Sequence, residues 1–413
     1  MFERTAGIFL KLESLQSRHF SRILLIKPSA LGDVVHTVPL LPKLRTRYPD
    51  ARIDWFITPE NAELVRHHPA LSGVVLFDRK KLARFGRGWD ATLESFRLLA
   101  GLRRARYELV IDLHGQMRSA LFTLATGAPV RIGFDRPVSR EPTESEHHEL
   151  RNVPQRGWAG AREGSWVAYS HRIPIETLDV HAIERYLWLG PMLGLDDAPP
   201  DERIYLSPAA EADAERLLGG LVRQRFAALA PGTMWETKHW LPERFAEVGQ
   251  WFEGQGVAVV VLGTNQDRER AKVIVERCPG AVDLCGRTTP GQLAAIVKRA
   301  AACVTNDSGA MHLAVALETP VVGVFGPTNP VHIGPYGQPE AVVRAGLPCS
   351  PCNFRNLSQC PFGHACMHQV SGAMVIERLE SALREKMPPG VECRASSVAC
   401  RSHGGHSDRA GTT

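Results

Sequence analysis

No stretch of the 413-residue chain reaches the roughly 18 consecutive apolar positions that a membrane-spanning helix needs. The longest candidate, Val257 to Gly263, has the length of a strand, so any membrane contact is expected to be peripheral. The opening MFERTAGIFLKLESLQSRHF also lacks the uninterrupted apolar core of a signal peptide, because Glu3, Lys11 and Glu13 break it. A cytoplasmic location is the expectation. An excess of one charge is missing too: 49 Lys and Arg against 44 Asp and Glu leave +5, too little to argue for a nucleic-acid partner. With 44% hydrophobic and 23% charged residues, the chain is neither wholly disordered nor fibrous. At roughly 100 to 200 residues per domain, its length suggests two domains.

From Arg22 onward, short Val/Ile/Leu-rich runs alternate with segments of helical periodicity, the signature of a parallel sheet wrapped by helices. Strands are expected at 22–27, 52–57, 74–78, 108–113 and 130–134. A polar stretch from Asp135 to about Ile173 interrupts the pattern, a helix is expected from Asp179 to Leu193, and LDDAPPDE then reads as a linker. A second series follows at 226–232, 257–263, 281–286, 302–307 and 321–326. The expected organisation is an N-terminal extension (1–20), a Rossmann-like domain (21–195), a second Rossmann-like domain (200–387) carrying a Cys-rich segment (349–366), and a disordered tail (388–413). Two such α/β domains bind ligands at the carboxyl ends of their strands, in a cleft between them.

The first strand-to-helix turn, Lys27-Pro28-Ser29-Ala30-Leu31-Gly32-Asp33, lacks the G-x-G-x-x-G that lets backbone approach a dinucleotide pyrophosphate. Asp33 stands at the mouth of the first helix, where a carboxylate repels phosphate but serves either as a proton acceptor or as a helix cap. Phosphate chemistry belongs to the second domain. In APGTMWETKHW a Pro-Gly turn frees backbone N–H groups, Thr233 adds a hydroxyl and Lys238 a positive charge; the alternative is an ordinary turn with a solvated lysine. In TNDSGAMHLA, Asp307, Ser308 and Gly309 run from a strand end into a helix carrying His312, a place for an anion or ribose, or a simple helix cap. FGPTNP (325–330) is a further turn facing the same cleft.

Taken together, K-P-S-A-L-G-D-V-V-H-T-V-P, P-G-T-x-x-x-x-K-H-W and T-N-D-S-G-x-M-H-L-A resemble glycosyltransferase family 9, the ADP-heptose:lipopolysaccharide heptosyltransferases. The resemblance implies an α/β GT-B fold with two doubly wound domains facing a central cleft, the acceptor on the first half and ADP-L-glycero-D-manno-heptose on the second. It implies an inverting transfer of heptose to the Kdo/heptose inner core of lipopolysaccharide, with no cofactor for catalysis. Asp33 would be the general base. Thr233 and Lys238 would hold the diphosphate, and Asp307, Ser308, Gly309 and His312 would form the donor pocket. An acidic residue that takes the adenosine ribose is left open among Asn265, Asp267 and Glu269. Met234 and Trp235 depart from the smaller polar residues of some relatives. A protein acceptor, another nucleotide sugar, or an inactive sugar-nucleotide-binding module are the alternatives.

For the acceptor, twelve Lys and Arg against five Asp and Glu between Arg79 and Arg136 make a local basic patch suited to phosphates and carboxylates. Arg118 and Arg136 match family positions linked to the acceptor. Phe2, Ile8, Phe9, Leu12 and Leu15 form an approximate apolar stripe that either lies on the inner membrane surface or packs on the body. Cys349, Cys352, Cys360 and Cys366 open with C-x-x-C and suit a closed structural zinc or iron site, with His364 and His368 as possible substitutes. Free thiols or disulfides are the other readings. This segment also leans toward the heptosyltransferase II-like branch of the family.

Overall fold

The computed structural model describes residues 15–84, 86–138 and 158–385. The expected tail, Cys393 and Cys400 fall outside the described residues, as do Phe2, Ile8, Phe9 and Leu12; Leu15 is buried in the core.

The front half contains β1 (Arg22–Ile26), β2 (Arg52–Ile57), β3 (Gly73–Leu76), β4 (Leu109–Asp112), β5 (Val130–Phe134) and β6 (His171–Ile173) in the order β3-β2-β1-β4-β5-β6. The rear half repeats that order with β7 (Phe226–Ala230), β8 (Ala258–Val261), β9 (Val282–Asp283), β10 (Cys303–Asn306), β11 (Val321–Phe325) and β12 (Val342–Arg344), arranged β12-β11-β10-β7-β8-β9. Every pairing is parallel, with Ile23 set beside both Ile53 and Leu109. Central strands such as Phe226–Ala230 are buried along their whole length, which is why they are written as unbroken apolar runs and not as alternations. Strand order reverses between β1 and β4 in front and between β7 and β10 behind. These two switch points open crevices at the carboxyl ends of the strands, where loops and helix N-termini diverge.

Two strands escape the sequence pattern. β6 is three residues long inside the polar stretch, and β12 is equally short at the matching edge of the rear sheet. The expected Asp179–Leu193 helix is two, Ala182–Leu187 and Gly190–Leu193. Pro191 explains the break, since a ring without an N–H fits the first turn of a new helix but not the interior of an old one.

The halves share a core. Ala294, Leu313 and Ala316 of the rear helices are buried with Val34, Val38 and Leu64 of the front. Two glycines let the helices meet: a Cβ on Gly32 would lie 2.6 Å from His312 Cδ2, and one on Gly309 would lie 2.5 Å from Leu31 Cδ2. Nearby, the Glu63 carboxylate accepts from Thr289 Oγ1 (2.6 Å) and Gly291 N (3.0 Å), so a front-half side chain caps the Pro290–Arg299 helix of the rear half.

Candidate active site

The front crevice is built by the turn after β1 and the loop after β4. Lys27 is buried, donates to Leu113 O at 3.2 Å and stands 3.6 Å from Asp33 Oδ1. The same Asp33 oxygen accepts from Tyr186 OH at 3.0 Å, and Oδ2 accepts from Ala30 N at 3.3 Å. One Asp33 oxygen thus caps the Leu31–Val35 helix, and the other belongs to a charged cluster. Burial alone would raise its pKa, but the Lys27 ammonium, the Tyr186 hydroxyl and the Ala30 N–H outweigh that and hold it below the usual carboxylate range. Lys27 also loses from burial, yet Asp33 and Tyr186 raise its pKa, so the pair is ionised. The Asp33 side chain remains 43% exposed, enough for a ligand atom to reach it.

A cavity of about 280 Å³ opens over this carboxylate, lined by Arg79, His114, Arg118, Phe77 and Phe122 among others. Burial and the nearby Lys27 lower the His114 pKa to about 4, so the ring is neutral. Arg118 is exposed at the rim. Arg136 follows β5 as an exposed residue and does not line this cavity. A larger cavity of about 650 Å³ lies at the other end of the same sheet, beside Arg22, Arg52 and Gly73 at the starts of β1, β2 and β3. The Asp54 carboxylate at its base already accepts from Arg52 Nε (2.8 Å) and Tyr107 OH (2.9 Å). Parallel sheets of this kind present their ligand sites at the opposite, carboxyl end, which makes the smaller cavity the candidate site.

Behind, the turn after β7 meets the turn after β10. Lys238 Nζ lies 2.7 Å from Asp307 Oδ2, which also accepts from Thr328 Oγ1 at 2.6 Å. Thr233 Oγ1 donates to Asp307 O at 3.0 Å, and Ser308 Oγ sits 2.8 Å from Thr305 Oγ1. The Lys238 ammonium also lies 4.3 Å over the Trp235 ring, whereas Met234 is 88% exposed and points away from the cluster. Thr233, Lys238, Asp307 and Ser308 are thus gathered at one switch point. His312 is buried one helical turn on, with Nδ1 2.9 Å from His36 Nε2, so its ring closes the junction between the halves. Of the acidic candidates, Asp267 is buried and accepts from Thr264 N and Thr264 Oγ1, both at 2.8 Å, as a local cap; Asn265 and Glu269 are exposed.

The chain matches the family model for glycosyltransferase family 9 (heptosyltransferase) over residues 95–152 and 147–362. It is 31% identical over 335 residues to lipopolysaccharide heptosyltransferase 1 of Pseudomonas aeruginosa, covering 80% of this chain and 86% of that protein. The chain belongs to glycosyltransferase family 9. The fold agrees: the family 9 glycosyltransferase of Veillonella parvula superposes with a TM-score of 0.71 at 22% identity, over 90% of this chain and 99% of that one. E. coli heptosyltransferase WaaC, solved with ADP-2-deoxy-2-fluoro heptose, superposes with a TM-score of 0.64 at 23% identity, over 87% and 99%. The two sheets and their shared cleft are the GT-B arrangement, and the chain is a glycosyltransferase.

For a family 9 enzyme, several site residues went unassigned in the sequence. Lys27 and His36 lie inside the first motif and Thr328 inside FGPTNP, so position alone would have picked them out. Tyr186 carries no signal, because a tyrosine in an amphipathic helix reads as core. In the Cys-rich segment, Cys366 is buried and Cys349, Cys352 and Cys360 are partly so. Burial foremost, then Cys352, Cys349 and Cys360, push the Cys366 thiol up to about 12. The four thiols are neighbours, but among the described residues no three His, Cys, Asp or Glu side chains are arranged to hold a metal ion. His364 is occupied elsewhere, with Nε2 2.6 Å from Thr237 O.

Proposed function

We propose that the chain transfers heptose from ADP-L-glycero-D-manno-heptose to the Kdo/heptose inner core of lipopolysaccharide, with inversion at the anomeric carbon. The observation that carries this reading is the Asp33 carboxylate. It is held ionised by Lys27 and Tyr186 at the floor of a cavity with Arg79 and Arg118 in its wall. In the proposed step Asp33 accepts the proton of an acceptor hydroxyl while that oxygen bonds to the anomeric carbon. The bond from that carbon to the diphosphate oxygen breaks, and its electron pair leaves with ADP.

Lys238 and Thr233 meet the charge that develops on the departing diphosphate, an interaction stronger in the transition state than before it. Asp307, Ser308 and Gly309 face the sugar, with His312 closing the wall behind them. Residues 21–195 then form the acceptor half and 200–387 the donor half. Arg118 guides acceptor anions in the cavity, and Arg136 acts from outside it. Because the acceptor is lipid-linked and the donor water-soluble, the protein works as a peripheral protein on the cytoplasmic face of the inner membrane.

The test is ADP release and product formation with ADP-heptose and a heptose-deficient lipopolysaccharide. Release coupled to glycosylated product supports the reading. Tight ADP binding without release would support an inactive binding module, and transfer to protein alone would move the acceptor.

A further inference from the structure

The Trp89–Arg104 helix carries two apolar stripes. One, with Leu98, Leu99 and Leu102, packs into the front-half core beside Phe77 and Phe122. The other, Trp89, Leu93 and Phe96, follows the spacing of a single helix face and turns outward, with Trp89 83%, Leu93 38% and Phe96 57% exposed. Large apolar side chains grouped on a surface mark an interaction site.

The charges near this face are mostly positive. Between Arg79 and Arg104 the sequence has eight Lys and Arg against two Asp and Glu. One of the two acids, Glu94, is paired with Lys81 at 3.2 Å, a contact that also sets the Arg79–Leu82 helix beside the longer one. An aromatic and leucine stripe in a predominantly basic segment is the pattern of a helix lying in the headgroup region of an anionic bilayer. The helix follows β3 and so begins at the carboxyl end of the parallel front sheet, the end at which Phe77 and Arg79 line the cavity over Asp33.

We propose that the face formed by Trp89, Leu93 and Phe96 docks on an anionic lipid bilayer, with Trp89 and Phe96 entering the headgroup region and Arg87 and Arg97 meeting lipid phosphates. This deepens the proposed function and rests on it for its purpose. A docked front half places the mouth of the Asp33 cavity near the lipid surface, where a lipid-anchored acceptor presents its sugars without leaving the membrane.

The experiment is flotation of the full chain with phosphatidylcholine vesicles, with and without phosphatidylglycerol, comparing wild type, Trp89→Ser/Phe96→Ser and Arg87→Glu/Arg97→Glu. Wild type is expected to float with the anionic vesicles and less with neutral ones or in high salt. The apolar double variant should bind about tenfold or more weakly, and the charge-reversal variant should lose the preference for phosphatidylglycerol. Both variants should keep wild-type ADP affinity and turnover on a delipidated, water-soluble acceptor, which shows that they fold. Wild type that fails to float with anionic vesicles, or an apolar variant that floats as well as wild type, overturns the proposal. Failure of the functional reading looks different: no transfer to the soluble acceptor by wild type, whatever the flotation result.

Discussion

His36 Nε2 and His312 Nδ1 stand 2.9 Å apart, joining the helix that follows β1 to the helix that follows β10. The His181 ring lies edge-on to His36 at 5.0 Å, and His181 Nε2 is 3.1 Å from Gly334 O. Two imidazoles share such a bond only when one nitrogen donates and the other accepts, so the two rings cannot both be doubly protonated. Burial is the first cause of their low pKa, well below normal for His36 and about 4 for His312 and His181; repulsion from His312 lowers His36 further.

Acid should therefore open the junction before it unfolds either sheet. The histidine pKa values are depressed in the folded protein, so the unfolded chain binds more protons between about 4 and 6.5. Their contribution to stability is complete above the unfolded value and falls as pH drops through that window. Thermal denaturation across this range should show the loss, and His36→Phe, which cannot be protonated, should flatten it. An unchanged pH slope in that variant would remove the histidine account.

Asp33→Ala should lower transfer by about 10²- to 10⁴-fold, the usual share of a general base, while ADP affinity stays within a few fold. Tyr186→Phe is the finer test. It removes one of the groups that hold the Asp33 carboxyl below its ordinary range, so the acidic limb of the kcat/KM profile should move to higher pH. A limb that stays in place would mean that Tyr186 only packs.

How much of this was legible beforehand divides along physical lines. Ten of the twelve strands stand out in the sequence as short apolar runs, the central ones because strands buried on both faces must be apolar throughout. β6 and β12, three residues each at sheet edges, bury too little to leave that mark. The gathering of Thr233, Lys238, Asp307 and Ser308 follows from motifs at the ends of β7 and β10, since fold topology makes those ends adjacent. The Tyr186 contact with Asp33 spans 153 residues and depends on the packing of a short helix, for which no local pattern exists. His312 shows the reverse case: its motif gives the right helix but not the partner, because His36 comes from the other half.

Lys238→Met should separate catalysis from stability. Turnover should fall by about 10²- to 10³-fold with loss of the charge that meets the leaving group. The Asp307 side chain, only 4% exposed, would also lose its counter-ion at 2.7 Å, and leaving such a charge unpaired costs about 3–5 kcal/mol. Adding Asp307→Asn should restore most of the melting temperature but none of the turnover. Recovery of both together would mean that Lys238 serves the fold alone.

The glycines at the junction give the sharpest geometric test. A Cβ on Gly309 would lie 2.5 Å from Leu31 Cδ2 and 3.2 Å from Leu31 Cβ, and a change of leucine rotamer moves the first atom but not the second. On Gly32 the added carbon meets only the His312 ring, at 2.6 Å, and the ring can yield by giving up its bond to His36. Gly309→Ala is therefore expected to push the halves apart, costing about 1–3 kcal/mol and slowing transfer, while Gly32→Ala chiefly removes the acid-sensitive histidine pair. Gly101→Ala is the control, since its Cβ meets nothing within 4 Å inside the Trp89–Arg104 helix and should stabilise by up to roughly 0.5–1 kcal/mol. Melting curves and turnover of the three variants decide the matter. If Gly309→Ala behaves like Gly101→Ala, the two helix mouths do not pack against one another during catalysis, and Asp33 and Lys238 must be brought together by some other surface.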